Sequence, residues 1–442
     1  MSGSSLRAAA REILRAALLA VDPAEAVRRH LRREGGTLLA GGVSYPLESV
    51  DRIVVVGAGK ASGAMTVAVE GIVEDRIEGG VVLVPYGQRL PTRRVRVEEA
   101  GHPIPDEAGQ QGAEVILSLV RRAGERDLVI AVLSGGGSAL LPLPVDGVSL
   151  AHKQEMTRQL LACGATIREI NVIRKHLSRI KGGRLAAAAA GARVIALILS
   201  DVVGDPLDSI ASGPTAPDPT TYADACAILE RYGLDRTAPR AVLGHLYQGV
   251  KGRAPETPKP QDPLFARVRN LIVGSNLQAL LAAAERARGL GLSPLILSSS
   301  IEGEAREVAK VHAALAREVR ASGNPVPPPA CLISGGETTV TLRGTGVGGR
   351  NQEFALAAAV EIEGLRDIVA LSAGTDGRNG STDAAGAVAD GTTLERARAI
   401  GLDPVGSLRN NDSHRLFREL GDLVVTGPTH TNVMDIRLFV IG

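Results

Sequence analysis

Residues 128–141 read LVIAVLSGGGSALL, a strand-like run that ends in glycines. Six apolar residues lead directly into Ser134, three glycines and Ser138. A short run that is apolar on both faces is typical of a strand buried in a parallel sheet. Glycine permits a close backbone approach, so the turn after the strand has two interpretations. It is either a cradle of backbone amides for an anion or a tight packing turn.

Apolar runs of the same kind recur along the chain, each bounded by glycine, serine or aspartate. The others lie at residues 52–60, 79–87, 194–205, 270–278, 294–300, 331–338, 367–377 and 422–429. They alternate with helical patterns such as 108–124 and 276–291, an alternation that is typical of βαβ units. The sequence therefore predicts an α/β fold of two α/β/α domains, the first with a Rossmann-like, mostly parallel sheet.

The chain has 442 residues, which is more than a single hydrophobic core usually holds. The weakest periodicity lies in residues 250–268, which contain four prolines and mixed charges. We therefore expect an N-terminal domain over residues 1–255 and a C-terminal domain over residues 256–442. A second loose stretch at 321–330 is either an internal loop or a further boundary.

Composition argues against several classes of protein. The net charge is only +2, aromatic residues make up 2% of the chain, and tryptophan is absent. A nucleic-acid-binding protein usually has a basic stripe with stacking aromatic residues. The N-terminal helical pattern carries charges throughout, and no apolar stretch is long enough for a signal peptide or a membrane span. We expect a soluble cytoplasmic protein without nucleic-acid or membrane partners.

The first strand-like run leads into VVVGAGKASGAM, which contains Gly57 and Gly59 but lacks the third glycine that a dinucleotide fingerprint has at residue 62. It also lacks the spacing of a P-loop. What remains is Lys60 at the carboxyl end of a strand, where open α/β sheets bind ligands. A lysine there suits a phosphate group, and a solvated loop lysine is the alternative.

Two pairs of aspartates follow strands in the same way. Asp201 and Asp205 come after the run at 194–200, and Asp376 and Asp383 come after the run at 367–374. Phosphoryl transfer uses Mg²⁺ held by one or two carboxylates and by substrate phosphates. Aspartates in turns are also common as local caps, so a metal or base role competes with a structural one.

Arg350 follows a glycine-rich loop and precedes an alanine-rich helical pattern. A cation near a helix N-terminus opposes the helix dipole. An arginine at this position therefore suggests binding of a carboxylate or of a transferred phosphoryl group, with a surface arginine as the alternative. His102, in a proline-rich turn, suits a structural role better than a catalytic one.

Several long motifs resemble the class II glycerate 2-kinases that have a C-terminal MOFRL domain. The resemblance covers nearly the whole chain. It rests on VVGAGKASGAM, GHPIPDEAG, LSGGGSALL, INVIRKHLSRIKGGRLA, LSDVVGDPLDSIASGPT, ISGGETTVTLRGTGVGGRNQEFAL, SAGTDGRNGSTDAAGA and TGPTHTNVMDI.

The resemblance implies a phosphotransferase that acts on an alcohol group, moving the γ-phosphoryl group of Mg-ATP to the 2-hydroxyl of D-glycerate. It also implies an active-site cleft between the two α/β domains. The essential lysine and arginine of the family fall on Lys60 and Arg350, and its acids fall on Asp201, Glu337 and Asp376. We expect Lys60, Arg350 and Asp201 to be catalytic, with Asp376 and Asp201 as metal ligands.

The glycine loops are expected to bind the nucleotide phosphates, through Ser134, Gly135, Gly136, Gly137 and Ser138 in one loop and through Gly335, Gly336 and Glu337 in the other. Two alternatives stay open. Some members of the family are named hydroxypyruvate reductase, and a non-catalytic protein that binds hydroxy acids or sugar phosphates would carry the same features. The oligomeric state is open, with a homodimer as one possibility.

Overall fold

The computed structural model describes residues 3–189 and 191–442. They divide into two compact units. The N-terminal unit is Pro23–Val273, and the C-terminal unit combines the residues up to Asp22 with Gly274–Gly442. Helix α1 (Gly3–Ala20) therefore belongs with the C-terminal segment. The predicted domain boundaries at 255/256 and 321–330 stay predictions.

The N-terminal unit contains two sheets and a set of helices. Its strands are β1 (Leu31–Glu34), β2 (Thr37–Ala40), β3 (Val43–Pro46), β4 (Ile53–Ala58), β5 (Ile77–Pro85), β6 (Val95–Ala100), β7 (Leu128–Leu133), β8 (Arg193–Leu199) and β9 (Val268–Gly274). Its helices are α2 (Pro23–His30), α3 (Ser62–Val73), α4 (Glu107–Arg121), α5 (Gly137–Leu140), α6 (Leu150–Ala162), α7 (Ile167–His176), α8 (Arg184–Ala188), α9 (Tyr222–Arg231) and α10 (Arg240–Val250). Short 3₁₀ turns lie at Leu47–Ser49, Glu74–Arg76, Ile210–Ser212 and Pro263–Arg267.

The larger sheet of this unit has the strand order β6-β5-β4-β7-β8-β9. Strands β4 to β8 pair in parallel with their neighbours. Every residue of β4 and β7 is buried, which explains why both strands are apolar on both faces. The strand order reverses between β4 and β7, as in dinucleotide-binding folds. The prediction of a Rossmann-like, mostly parallel sheet is confirmed.

Three parts of the N-terminal unit were not predicted. Strands β1 to β3 form a separate antiparallel sheet. Strand β6 lies at the edge of the large sheet and reads VRVEEA, so its charges obscure the apolar pattern. Helices α6, α7, α9 and α10 pack around a core of their own, which includes Met156, Ile173, Tyr222, Val242 and Leu246.

The C-terminal unit contains one six-stranded sheet with the order β10-β11-β15-β12-β13-β14. The strands are β10 (Ser293–Ile301), β11 (Ala330–Gly336), β12 (Ile368–Gly374), β13 (Gly386–Asp390), β14 (Leu423–Val424) and β15 (Asp435–Ile441). After α1, its helices are α11 (Asn276–Gly289), α12 (Ala305–Ser322), α13 (Arg350–Glu361), α14 (Thr393–Ala399), α15 (Pro404–Arg409) and α16 (Ser413–Leu420).

This sheet is mixed, because β15 returns along the chain and inserts between β11 and β12 in the antiparallel direction. Only β10 and β11 pair in parallel among its described strands. The prediction of a mostly parallel sheet concerned the first domain, and the prediction of a second α/β domain is confirmed here with strands that are as apolar as expected. Among residues 3–189 and 191–442, no helix combines the length and the apolar character that a membrane crossing requires.

Candidate active site

The central feature of the N-terminal unit is the pair of loops that leave β4 and β7, the two strands between which the strand order reverses. Lys60 follows β4, and Ser134 follows β7. The amide of Lys60 donates a hydrogen bond to the carbonyl of Gly135 at 2.9 Å. Ligands of open α/β sheets bind outside this point. The structure thus brings Lys60 and the glycine loop together, as the sequence predicted for a shared crevice.

Ser134 holds these two loops to each other. Its hydroxyl accepts a hydrogen bond from the amide of Ala61 at 3.0 Å and lies 3.2 Å from the hydroxyl of Ser62. A Cβ built on Gly59 would lie 2.0 Å from the Ser134 hydroxyl oxygen, so only glycine fits there. Ser134 is 1% exposed. The structure therefore gives its hydroxyl a positioning role, and direct contact with a nucleotide stays a prediction.

The glycine loop lets three functional side chains approach its backbone. A Cβ on Gly135 would lie 2.0 Å from Oδ2 of Asp201. A Cβ on Gly136 would lie 3.0 Å from Nε2 of His102 and 3.5 Å from Cγ of Lys60. Gly136 also has φ +85°, in the left-handed region that favours glycine. The missing side chains thus leave room for a lysine, a histidine and an aspartate around one loop.

One amide of the glycine loop already donates a hydrogen bond within the protein. Gly137 donates its N–H to the carbonyl of Ser134 at 3.2 Å, inside the turn. A Cβ on Gly137 would lie 2.8 Å from the methyl group of Ala211, so close packing accounts for this glycine. The hydroxyls of Ser138 and Ser212 are 2.7 Å apart. Contact of the amides of Gly135, Gly136 and Ser138 with an anion stays a prediction.

The imidazole of His102, a residue that was expected to be structural, lies beside the glycine loop. Burial is the main cause that lowers the pKa of its imidazole, and the nearby charge of Lys60 lowers it further. A histidine in this setting is neutral at pH 7 and can offer one donor and one acceptor. Sequence reasoning did not single out this contact, because residues 102 and 136 belong to different βα units.

A strained segment follows Asp201 and packs against the same loop. Asp205, Ala211 and Ser212 have positive φ angles of 54°, 51° and 60°. Non-glycine residues adopt this conformation at some energetic cost, and such residues cluster at functional sites. Burial raises the pKa of the Asp205 carboxyl above its ordinary value, and a hydrogen bond with Ser200 partly opposes this shift. No sequence signal indicated the strain at Ala211 and Ser212.

A buried ion pair fixes this segment to helix α7. Lys175 is 2% exposed, and its Nζ lies 2.7 Å from Oδ1 of Asp218 and 3.1 Å from Oδ2 of Asp208. The two carboxylates compensate the buried ammonium charge, as a buried ion requires. The segment that carries the strained residues is thus held at Asp208 and again at Asp218.

In the C-terminal unit the candidate site is centred on Arg350. This residue is the first of α13, so its predicted position near a helix N-terminus is confirmed. Its Nε and Nη2 bind the two carboxylate oxygens of Asp435 at 2.7 and 3.0 Å. Its Nη1 lies 2.9 Å from Oε1 of Glu337. The helix dipole favours negative charge at this position, and the two acids supply that charge beside the arginine.

Asp435 is the residue that sequence reasoning missed. It is wholly buried and also accepts hydrogen bonds from Nδ2 of Asn351 at 2.8 Å and from Nη2 of Arg437 at 3.1 Å. As the first residue of β15, it pairs in register with Gly336 at the end of β11 and with Gly374 at the end of β12. The sequence signal was MDIRLFVI, in which two opposite charges lie on one face of an apolar strand.

The electrostatics of this cluster depend on burial and pairing. Burial lowers the pKa of the Arg350 guanidinium, but the charge of Asp435 and the hydrogen bonds to it, followed by Glu337 and Asp376, outweigh burial and raise it. Burial lowers the pKa of Arg437, which is completely buried. Its guanidinium nevertheless stays charged at any ordinary pH. The cluster therefore contains two arginines that buried and half-buried acids hold in place.

Two predicted nucleotide-binding glycines occupy a strand rather than a loop. Gly335 and Gly336 are the last residues of β11, and they pair in register with Ile436 and Asp435. A Cβ on Gly335 would lie 1.8 Å from Oδ1 of Asn276. The expectation of a second glycine loop is wrong here, because the strand continues through both residues. Their contact with a nucleotide stays a prediction, as does that of Glu337.

The predicted metal ligands lie in different units. Asp201 belongs to the N-terminal unit, beside Gly135, and Asp376 belongs to the C-terminal unit. Asp376 accepts a hydrogen bond from the amide of Arg378 at 3.1 Å, in the turn after β12. The described residues contain no group of three or more His, Cys, Asp or Glu side chains placed to hold a metal ion. Mg²⁺ often takes only one or two carboxylates, so either aspartate fits a site completed by substrate phosphates.

Two family models match the chain. Residues 9–247 match a domain of unknown function (DUF4147), and residues 330–435 match the MOFRL family. The D-glycerate 2-kinase of Thermotoga maritima is 41% identical over 440 residues, which are 99% of this chain and 99% of that enzyme. The chain belongs to the glycerate kinase family. The resemblance to glycerate 2-kinases with a C-terminal MOFRL domain is thus confirmed.

Other members of the glycerate kinase family extend this comparison. A solved structure of glycerate kinase from Thermotoga maritima has a TM-score of 0.89 and 40% identity, covering 99% of this chain and 100% of that chain. A relative from Agrobacterium vitis is 46% identical over 440 residues, which are 99% of this chain and 95% of the relative, and it is provisionally named hydroxypyruvate reductase. The α/β fold of both units therefore recurs in a solved glycerate kinase.

Proposed function

We propose that the protein is a glycerate 2-kinase, which transfers the γ-phosphoryl group of ATP to the 2-hydroxyl of D-glycerate. The observation that carries the proposal is the convergence of Lys60, His102 and Asp201 on the backbone of Gly135 and Gly136. They meet where the strand order reverses, which is the ligand position of an open α/β sheet. Membership in the glycerate kinase family supports the reaction class.

The N-terminal residues suit the positioning and charge neutralisation that phosphoryl transfer requires. The Lys60 ammonium would neutralise phosphate oxygens, and the amides of Gly135 and Ser138 would donate hydrogen bonds to them. One acid, Asp201 or Asp376, would orient the 2-hydroxyl and accept its proton while the hydroxyl oxygen bonds to the γ-phosphorus. The bond from that phosphorus to ADP breaks in the same transfer.

The C-terminal residues add fixed positive charge. Arg350, held by Asp435 and Glu337, would bind the carboxylate of glycerate or the charge that develops on the phosphoryl group. Mg²⁺ would neutralise the nucleotide phosphates, with Asp201 or Asp376 as its protein ligand. These assignments leave open which acid binds metal and which orients the hydroxyl.

Phosphorus NMR of a reaction with ATP, Mg²⁺ and D-glycerate tests reaction class and regiochemistry together. We expect ADP and 2-phosphoglycerate, and we expect neither product with Lys60→Ala, a variant that keeps the fold. Formation of 3-phosphoglycerate would contradict the assigned position. Absence of ADP from the wild-type reaction would contradict the kinase, and calorimetric binding of D-glycerate without turnover would then favour a non-catalytic binding protein.

The reductase alternative has less support from the geometry. A Cβ on Gly57 would lie 2.0 Å from the carbonyl oxygen of Val132, and Gly59 is required by Ser134. Packing between the two strands therefore accounts for both glycines of the incomplete dinucleotide fingerprint. Oxidation of NADH or NADPH by hydroxypyruvate in the presence of the protein would revive this alternative.

Two further predictions from the sequence stand beside the proposal. One is a cytoplasmic location, and cell fractionation tests it. A homodimer is the other, and light scattering of the purified protein tests it. Neither bears on the chemistry assigned to Lys60 and Asp201.

A further inference from the structure

Three basic side chains of the N-terminal unit lie close enough to act on one another's charge, and none has an acidic partner among the described residues. They are Lys153 on α6, Arg174 on α7 and Lys181 in the turn before α8. Lys153 is 7% exposed, and its Nζ finds no hydrogen-bond partner among the described residues. Lys181 is 1% exposed and donates a hydrogen bond to the carbonyl of Leu141. Buried ammonium groups normally have a compensating charge.

The charges that act on these groups are all basic. Burial lowers the pKa of Lys153 to about 7, and the charge of Arg174 adds to this effect. Burial, and then the charges of Lys153 and Arg174, hold the pKa of Lys181 well below its ordinary value. Burial also lowers the pKa of Arg174. Bringing three such groups together is unfavourable unless an anion completes the cluster.

Lys175 provides an internal comparison. It lies on the same helix as Arg174 and is as deeply buried as Lys181, yet its amine has the carboxylates of Asp208 and Asp218 as partners. The fold can therefore supply acids to a buried lysine in this region. No described acid plays this role for the Lys153 amine, which indicates that the compensating charge comes from outside the protein.

The cluster adjoins the glycine loop. The Leu141 carbonyl that accepts from Lys181 directly follows α5, the short helix that begins at Gly137. Asn171 lies one turn before Arg174 on α7 and accepts from the hydroxyl of Ser212, which contacts Ser138. Gln154, next to Lys153, donates to the carbonyl of Pro105 in the loop that carries His102. Helices α6 and α7 thus place the basic groups directly behind the candidate active site.

We propose that Lys153, Arg174 and Lys181 form a binding site for an oxyanion, either the carboxylate of the acceptor or a phosphate group of the nucleotide. An oxyanion supplies the missing negative charge and the hydrogen-bond acceptors that the Lys153 amine lacks. Only the choice between these two sources rests on the proposed function. Binding of an oxyanion as such does not require that the protein be a kinase.

The test compares Lys153→Met with Lys251→Met, a matched control at an exposed lysine of the same unit. Isothermal titration calorimetry with inorganic phosphate and with D-glycerate measures binding directly. We expect binding by the wild-type protein and by the control, and roughly 10- to 100-fold weaker binding by Lys153→Met. Wild-type protein that binds neither anion, or a Lys153→Met variant with unchanged affinity, would overturn the proposal.

Thermal stability separates this role from a structural one. Lys153→Met removes an uncompensated buried amine, so we expect the melting temperature of the ligand-free protein to rise by about 2 °C or more. Lys175→Met breaks a compensated pair and is expected to lower it. A lower melting temperature for Lys153→Met would mean that the amine stabilises the fold, and it would overturn the proposal. Arg174→Gln repeats the comparison at a second residue of the cluster, with the same expected rise.

Steady-state kinetics then identify the source of the oxyanion. A higher KM for D-glycerate with an unchanged KM for ATP in Lys153→Met would assign the site to the acceptor carboxylate. The opposite result would assign it to a nucleotide phosphate. A protein without kinase activity that still loses phosphate binding in Lys153→Met would refute the proposed function while supporting the oxyanion site.

Discussion

Asp435→Asn is the substitution with the largest expected effect in the C-terminal unit. The Asp435 carboxylate is 0% exposed and accepts two hydrogen bonds from Arg350, one from Asn351 and one from Arg437. The amide keeps the shape but removes the negative charge between two guanidinium groups. Leaving a buried charge without its partner costs about 3–5 kcal/mol. At about 2–4 °C per kcal/mol, the melting temperature falls by about 6–20 °C.

The control is Asp367→Asn, which also removes a carboxylate from an aspartate–arginine pair. The Nε of Arg320 contacts both oxygens of Asp367 at 2.8 and 2.6 Å, but the two side chains are 43% and 36% exposed, so water reaches the pair. An exposed pair contributes about 0–1 kcal/mol, so the control shifts the melting temperature by at most a few degrees. Differential scanning calorimetry measures both variants. Equal shifts for Asp435→Asn and Asp367→Asn would refute the importance assigned to burial.

Three further predictions concern activity and pH. Lys60→Ala is expected to lower kcat/KM for D-glycerate phosphorylation by about 10³-fold or more without changing the melting temperature; near-normal turnover would exclude a catalytic role. Gly135→Ala places a methyl group 2.0 Å from Asp201 Oδ2, so we expect about 10²-fold slower turnover. The control Gly71→Ala should match wild type in the same assay, because no neighbouring element lies within 4 Å of its new methyl group. Burial lowers the pKa of His312 to about 4. The unfolded chain therefore binds the proton more readily, and up to about 3 kcal/mol of stability is lost as pH falls from about 6.5 to 4; urea unfolding of His312→Gln should lack this loss, and an equal pH dependence would disprove it.

The central strands of the N-terminal sheet could be predicted because burial on both faces leaves a continuous apolar run, whereas the charged edge strand β6 could not. The run at 128–133 is the clearest case, since every residue of β7 is buried. The polar residues at strand ends could also be predicted, because parallel strands direct their carboxyl ends to one edge. The order of the strands in each sheet could not be predicted, because it depends on which strands pair with each other. Strand β15, for example, pairs with strands that precede it by about 60 to 100 residues.

The partners of the predicted charges were harder to infer than the charges themselves. Arg350 drew attention because a cation at a helix N-terminus is unfavourable by itself. Its partner Asp435 lies 85 residues away in the chain and is the first residue of an apolar strand. The same difficulty applies to Lys153, whose burial follows from the packing of α6 and not from its local sequence. Local patterns identify unusual charges, and only the tertiary structure shows whether they are compensated.

The two glycine stretches show how similar sequences acquire different roles. SGGGS follows the buried strand β7, whereas ISGGE covers the end of the buried strand β11 and the residue after it. At every glycine of the two stretches a Cβ would meet a neighbouring atom at close range. At Gly335 that neighbour is the side chain of Asn276, whose Nδ2 donates to the carbonyls of Val433 and Asp435 and so belongs to the framework of the sheet. At Gly135 the neighbour is the carboxylate of Asp201. The first glycine is therefore required by packing against the sheet framework, whereas the second lets the carboxylate of Asp201 approach the backbone of the loop.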